Sequence, residues 1–122
     1  MRKPATRVAN VFAGLPENAG QEHFLTLFQG DSMKIERIVS RSHSSPPGFW
    51  YDQAEDEWVI VLRGRATLEF ENGGLVEMSE GDHLLIPSHA RHRVDQTNAE
   101  TIWLAVRDSA NRSTKDCDGR PL

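Results

Sequence analysis

Ala66, Leu68 and Phe70 alternate with Thr67, Glu69 and Glu71, and the run stops at Asn72-Gly73-Gly74 before Leu75-Val76-Glu77-Met78. Successive side chains on a strand point to opposite faces, so this alternation describes a sheet with one buried face and one wet face. Asn-Gly-Gly supplies the positive-φ residues of a tight hairpin. The same grammar recurs along the chain. Residues 24–28 are rich in β-formers and close at Gly30-Asp31-Ser32, and residues 33–40 put Met33, Ile35 and Val39 on one face. Runs at 57–62, 83–86, 92–97 and 101–107 follow, separated by Gly81-Asp82, by Pro87 and by a turn around Asn98. Pro87 ends its strand because it cannot donate to the ladder. Long helical periodicity is absent, and short strands at this spacing predict an all-β sandwich or barrel.

With 122 residues the chain has the length of one domain. The expected division is an N-terminal arm over residues 1–20, one barrel over 21–107, and a loose polar tail over 108–122. Residues 8–12 read as a short strand or as part of the arm. A net charge of −4 gives no nucleic-acid footprint. No apolar stretch follows the basic N-terminus, and none reaches the length of a membrane span, so no membrane partner is expected. Cys117 is the only cysteine, so there is no intrachain disulfide. These features predict a cytoplasmic protein.

Two segments concentrate the polar residues that carry chemistry. Glu57 opens the strand Trp58-Val59-Ile60-Val61-Leu62-Arg63, which ends at Gly64. Glu57, Val59 and Val61 share one face, and Trp58, Ile60 and Leu62 share the other. Both faces are apolar beyond Glu57, so the strand is covered on both sides. A carboxylate there needs a partner, because burying an unpaired charge is expensive, and either a metal or an arginine serves. The second segment runs Gly81-Asp82-His83-Leu84-Leu85-Ile86-Pro87-Ser88-His89-Ala90-Arg91-His92. Before both lies an irregular stretch, residues 41–56, containing Phe49-Trp50-Tyr51-Asp52-Gln53. It is either a lid that plugs the barrel mouth or a ligand-contacting loop.

These segments resemble the two halves of the cupin signature, G-x5-H-x-H-x3,4-E-x6-G and G-x5-P-x-G-x2-H-x3-N. Glu57 and Gly64 match E-x6-G, Gly81 and Pro87 match G-x5-P, and His92 falls at the second-motif histidine. The resemblance implies an antiparallel double-stranded β-helix, or jelly-roll barrel, with a divalent metal ion (Zn, Fe, Mn or Ni) bound inside. The chain departs from the pattern where the first motif has two histidines. A four-residue spacer puts Trp50 and Asp52 there, and a three-residue spacer puts Tyr51 and Gln53. His89 replaces a glycine, and Gln96 the final asparagine.

The expected metal ligands are Glu57 and His92, then Asp52, with His89 as a further donor and His43 and Gln53 in reserve. His89 and His92, three apart, converge only if a turn intervenes. Tyr51 is the candidate acid/base group, and Gln53, Trp50 and Arg91 are candidate substrate contacts. Arg91 is equally well read as a surface charge. Two functions follow. One is a metal-binding protein with a barrel pocket for a small polar molecule, extending to a dioxygenase or isomerase type of enzyme. The other is a metal-free module that binds a sugar or an organic acid. The Trp58-Ile60-Leu62 face, with Trp103 added, predicts a homodimer packed sheet to sheet.

Overall fold

A computed structural model describes residues 7–17 and 20–110. Eight strands follow one another: β1 (His23–Gln29), β2 (Met33–Ser40), β3 (Asp56–Arg63), β4 (Ala66–Phe70), β5 (Gly74–Met78), β6 (His83–Ile86), β7 (His92–Thr97) and β8 (Thr101–Asp108). They form a five-stranded sheet in the order β1-β2-β8-β3-β6 and a three-stranded sheet in the order β5-β4-β7. Every strand pair is antiparallel. The fold is all-β, as the alternation and turn residues predict. Residues 8–12 form an irregular arm rather than a strand. Cys117 and most of the expected tail lie outside the described residues.

The two sheets close on a shared apolar core. Val59 and Val61 of β3, Ile86 of β6, and Trp103 and Ala105 of β8 face Ala66 and Leu68 of β4 and Met78 of β5, all buried. Each aliphatic side chain of this size contributes roughly 1.5–3 kcal/mol on full burial. Parity on β3 follows the sequence pattern: Glu57, Val59 and Val61 are buried, while Trp58, Ile60 and Leu62 are half-buried on the outer face. Trp103 departs from expectation. Its register partners are Val61 and Ile38, so it shares their inward face, where its Nε1 donates to Ser40 Oγ at 3.2 Å.

Arg37 points away from the barrel interior and is 2% exposed. Its guanidinium donates to the carbonyls of Val11, Ala13 and Gly14 at 3.2, 2.7 and 3.3 Å. That grip holds the arm against the outer face of the large sheet. Gly64 shows why the E-x6-G spacing ends in glycine. It sits at φ +86°, and a Cβ there would lie 2.3 Å from Glu100 O. No side chain fits that turn.

Candidate functional site

The stretch between β2 and β3 builds one wall of the interior. It runs beside β7 and covers an edge that the three-stranded sheet would otherwise leave open. Ser45 N donates to Val94 O at 2.8 Å, and Thr97 Oγ1 donates to His43 O at 2.6 Å. Tyr51 and His92 exchange both backbone hydrogen bonds, at 2.7 and 3.2 Å. The segment is therefore a pinned wall of the barrel. Extended backbone at Tyr51 turns alternate residues the same way, so Tyr51 and Gln53 face inward while Trp50 and Asp52 do not. The backbone has selected the three-residue spacer.

Tyr51, Gln53, Glu57 and His92 line one cleft, of about 480 Å³ including its open mouth, together with Glu22, Phe24, Ile38, Trp103 and Arg107. Apolar side chains from β3, β4, β6 and β7 complete its walls. His92 lies between two rings: Tyr51 stacks on it at 5.5 Å and Phe70 is tilted against it at 5.8 Å. Its Nδ1 is 2.8 Å from Ala90 O. A carbonyl only accepts, so Nδ1 carries a proton, and Nε2 lies 3.8 Å from Glu57 Oε1.

Glu57 has the arginine of the two partners that its burial demands. Arg107 Nη2 lies 3.2 Å from Glu57 Oε2, and Arg107 Nη1 bonds Glu36 Oε1. Lys34 adds a contact to Glu36 at 3.2 Å. Burial pushes the Glu57 carboxyl above the usual carboxylate range, with Arg107 and then His92 drawing it part of the way back. The Tyr51 phenol is raised as well, first by desolvation and then by the charges of Glu22 and Glu57. Gln53 Oε1 is buried and has no hydrogen-bond partner.

The remaining candidates lie elsewhere. Asp52 and His89 are both exposed and pair with each other at 2.7 Å. The structure does not bring them to Glu57 and His92, because Asp52 has the wrong parity and His89 sits on an outward turn. His89 occupies φ +61°, the conformation the family's glycine at that position would take without strain. Arg91 is half exposed and bonds Glu71 at 3.1 Å, outside the cleft. Trp50 is half-buried but does not line the cleft. His43 accepts from Arg41 N at 2.7 Å and likewise stays outside. Sequence reasoning missed Arg107 and Glu22. Arg107 carried a signal in strand parity, whereas Glu22 precedes β1 and had none.

The inward donor set is thus a phenol, an amide, one carboxylate and one imidazole, with the carboxylate engaged by a guanidinium. Among the described residues no group of three or more His, Cys, Asp or Glu side chains is arranged to hold a metal ion. The residues present do not fit the histidine-rich centre that the resemblance implies.

Residues 38–107 match the family model for the cupin domain. The chain belongs to the cupin family. A Ralstonia eutropha protein described as a "putative mannose-6-phosphate isomerase" is 45% identical, with 85% of this chain and 99% of that one covered and a TM-score of 0.81. A cupin superfamily protein from Desulfitobacterium hafniense shares the fold at 18% identity, TM-score 0.73, over 88% of this chain and 94% of its own. So does an RmlC-like cupin with a double-stranded β-helix from Methanocaldococcus jannaschii, at 18% identity, TM-score 0.63, covering 77% and 85%. Comparison with the curated proteins gave no match. This cupin therefore has the jelly-roll barrel of its family with a different set of groups at the family's motif positions.

Proposed function

We propose that this cupin is a small-molecule-binding protein whose cleft takes a compact polar ligand through Tyr51, Gln53, Glu57 and His92, without a family-type metal centre. The supporting observation is the engagement of Glu57 by Arg107, 3.2 Å away. A cation arriving at Glu57 would meet a guanidinium at its own binding partner, with one imidazole as the other strong donor. Buried carboxylates need one counter-charge, and this one has it. In this role Gln53 Oε1 accepts a hydrogen bond from the ligand and the Tyr51 phenol orients it.

The same groups suit proton transfer. Glu57 has a carboxyl raised by burial, His92 directs Nε2 toward it at 3.8 Å, and the Tyr51 phenol stacks on that imidazole. That set, with the isomerase description of the 45% identical relative, extends the proposal to an isomerase type of reaction on a small hydroxylated carbonyl compound. In such a reaction the base removes a proton from one carbon and returns it to the neighbouring carbonyl carbon, while the hydroxyl proton passes to the former carbonyl oxygen. The assay is hydrogen–deuterium exchange at the carbon next to a sugar carbonyl, with Glu57→Gln and His92→Gln as controls.

A metal-dependent reading remains worth testing on one observation. A histidine whose Nδ1–H bonds a backbone carbonyl is oriented as metal-ligating histidines are. Elemental analysis of untagged protein decides between the two. The metal-free proposal expects metal well below one equivalent, unchanged in His92→Ala. Stoichiometric metal that disappears in His92→Ala and Glu57→Ala would sink it. We further propose a cytoplasmic homodimer, formed through the outer face that carries Trp58, Ile60 and Leu62.

A further inference from the structure

The polar atoms facing the cleft are unequal in kind. Gln53 Oε1 is a buried acceptor with no partner. His92 Nδ1 is committed to Ala90 O, and its Nε2 faces Glu57 at 3.8 Å. Glu57 and Glu22 bring two carboxylates, and the Ser40 hydroxyl fixes Glu22 by donating to its Oε2 at 2.5 Å. Against them stands one cation, Arg107, whose two terminal nitrogens are already spent on Glu57 and Glu36. Its Nε is the one nitrogen of that guanidinium without a hydrogen-bond partner.

Two carboxylates line the cleft against one guanidinium, and that guanidinium is shared with a third carboxylate, Glu36. Among the described residues no cation pairs with Glu22. The phenol of Tyr51, raised in part by Glu22 and Glu57, responds to the same field. The nearby arginines do not correct the balance: Arg91 is held by Glu71, and Arg93 by Glu69 and Asp95, both at 3.2 Å. Three aromatic side chains, Phe24, Tyr51 and Trp103, stand around these acceptors. Aromatic faces attract cations through the ring quadrupole.

We infer that the cleft takes a small organic ammonium, a protonated primary or secondary amine on a compact apolar body, and selects against anionic ligands such as carboxylates and phosphate esters. This rests on the metal-free binding reading above, not on its extension to an isomerase, and names a ligand class for that binding role. The ammonium donates to Gln53 Oε1 and to Glu22, while the apolar body fills the space between Ile38, Val59, Leu68, Ile86 and Val94. An anion would lose its hydration beside two carboxylates, with the Arg107 guanidinium already bonded to Glu57 and Glu36.

The test uses the full chain and three probes of one shape: isobutylamine, isobutanol and isovalerate. Backbone and side-chain amide shifts of Tyr51, Gln53 and His92 are followed by nuclear magnetic resonance at neutral pH. The expected order of affinity is amine, then alcohol, then carboxylate. Glu22→Gln should lower amine affinity about fivefold, as loss of a partly exposed ion pair does, and leave alcohol affinity unchanged. Carboxylate binding as tight as alcohol or tighter would overturn the ammonium assignment while leaving the pocket reading standing. So would equal loss of amine and alcohol binding in Glu22→Gln. Failure of all three probes to shift any cleft residue would overturn both.

Discussion

Tyr51 is the only tyrosine in the chain, so phenolate absorbance reports this one side chain without ambiguity. Desolvation and the charges of Glu22 and Glu57 hold its ionisation above the ordinary value of about 10. In a native spectrophotometric titration the midpoint should lie above that value and return to it in concentrated urea. The sign for stability follows. The unfolded phenol sheds its proton first, so the folded state loses stability as pH rises from the ordinary value through the native one. Glu57→Gln and Glu22→Gln should each lower the native midpoint. A midpoint that does not move in either variant would show that the carboxylates do not sense the phenol. His89 offers a second measurement at this scale. At φ +61° a non-glycine residue costs roughly 1 kcal/mol, and its exposed pair with Asp52 contributes at most about that much. His89→Gly should leave the urea midpoint unchanged or raise it, whereas the β-branched His89→Val should lower it.

Among the elements, the turn after β3 is the least tolerant. Gly64→Ala would push a Cβ against Glu100 O and Asn98 Oδ1 at a positive φ, and should cost more than about 2 kcal/mol in urea denaturation. The arm depends on Arg37 in a similar way. Arg37→Met removes the donors to three carbonyls, and should expose the arm to limited proteolysis at Val11–Gly14 while the barrel stays intact. The strands themselves were legible in the sequence because a period of two, closed by glycine, asparagine and proline, has one structural meaning. The site was half legible. Glu57 and His92 could be found from motif spacing, but the spacer of three or four residues left two pairs of candidates for the wall opposite. Only the pairing of Tyr51 with His92, between segments far apart in sequence, chooses between them. Burial of Glu57 called for a counter-charge, yet nothing local said that it would be Arg107 rather than a metal.

At the scale of the whole molecule, the outer face of the large sheet leaves Trp58, Ile60 and Leu62 half-buried, and the proposed homodimer would cover them. Sedimentation at micromolar concentration should give a dimer, and Trp58→Glu a monomer with an unchanged far-ultraviolet spectrum. A wild-type monomer would count against the proposal. Arg107 has a consequence for how the barrel assembles at all. It projects inward from β8, which lies between β2 and β3, and its guanidinium bonds Glu36 on one side and Glu57 on the other. If β8 slid by one residue along its neighbours, every side chain on it would exchange faces. The guanidinium would then leave for the surface, and two interior carboxylates would repel each other across the gap. Proofreading of strand alignment is thus built into a single side chain: a one-residue slip of β8 leaves like charges face to face without an arbiter.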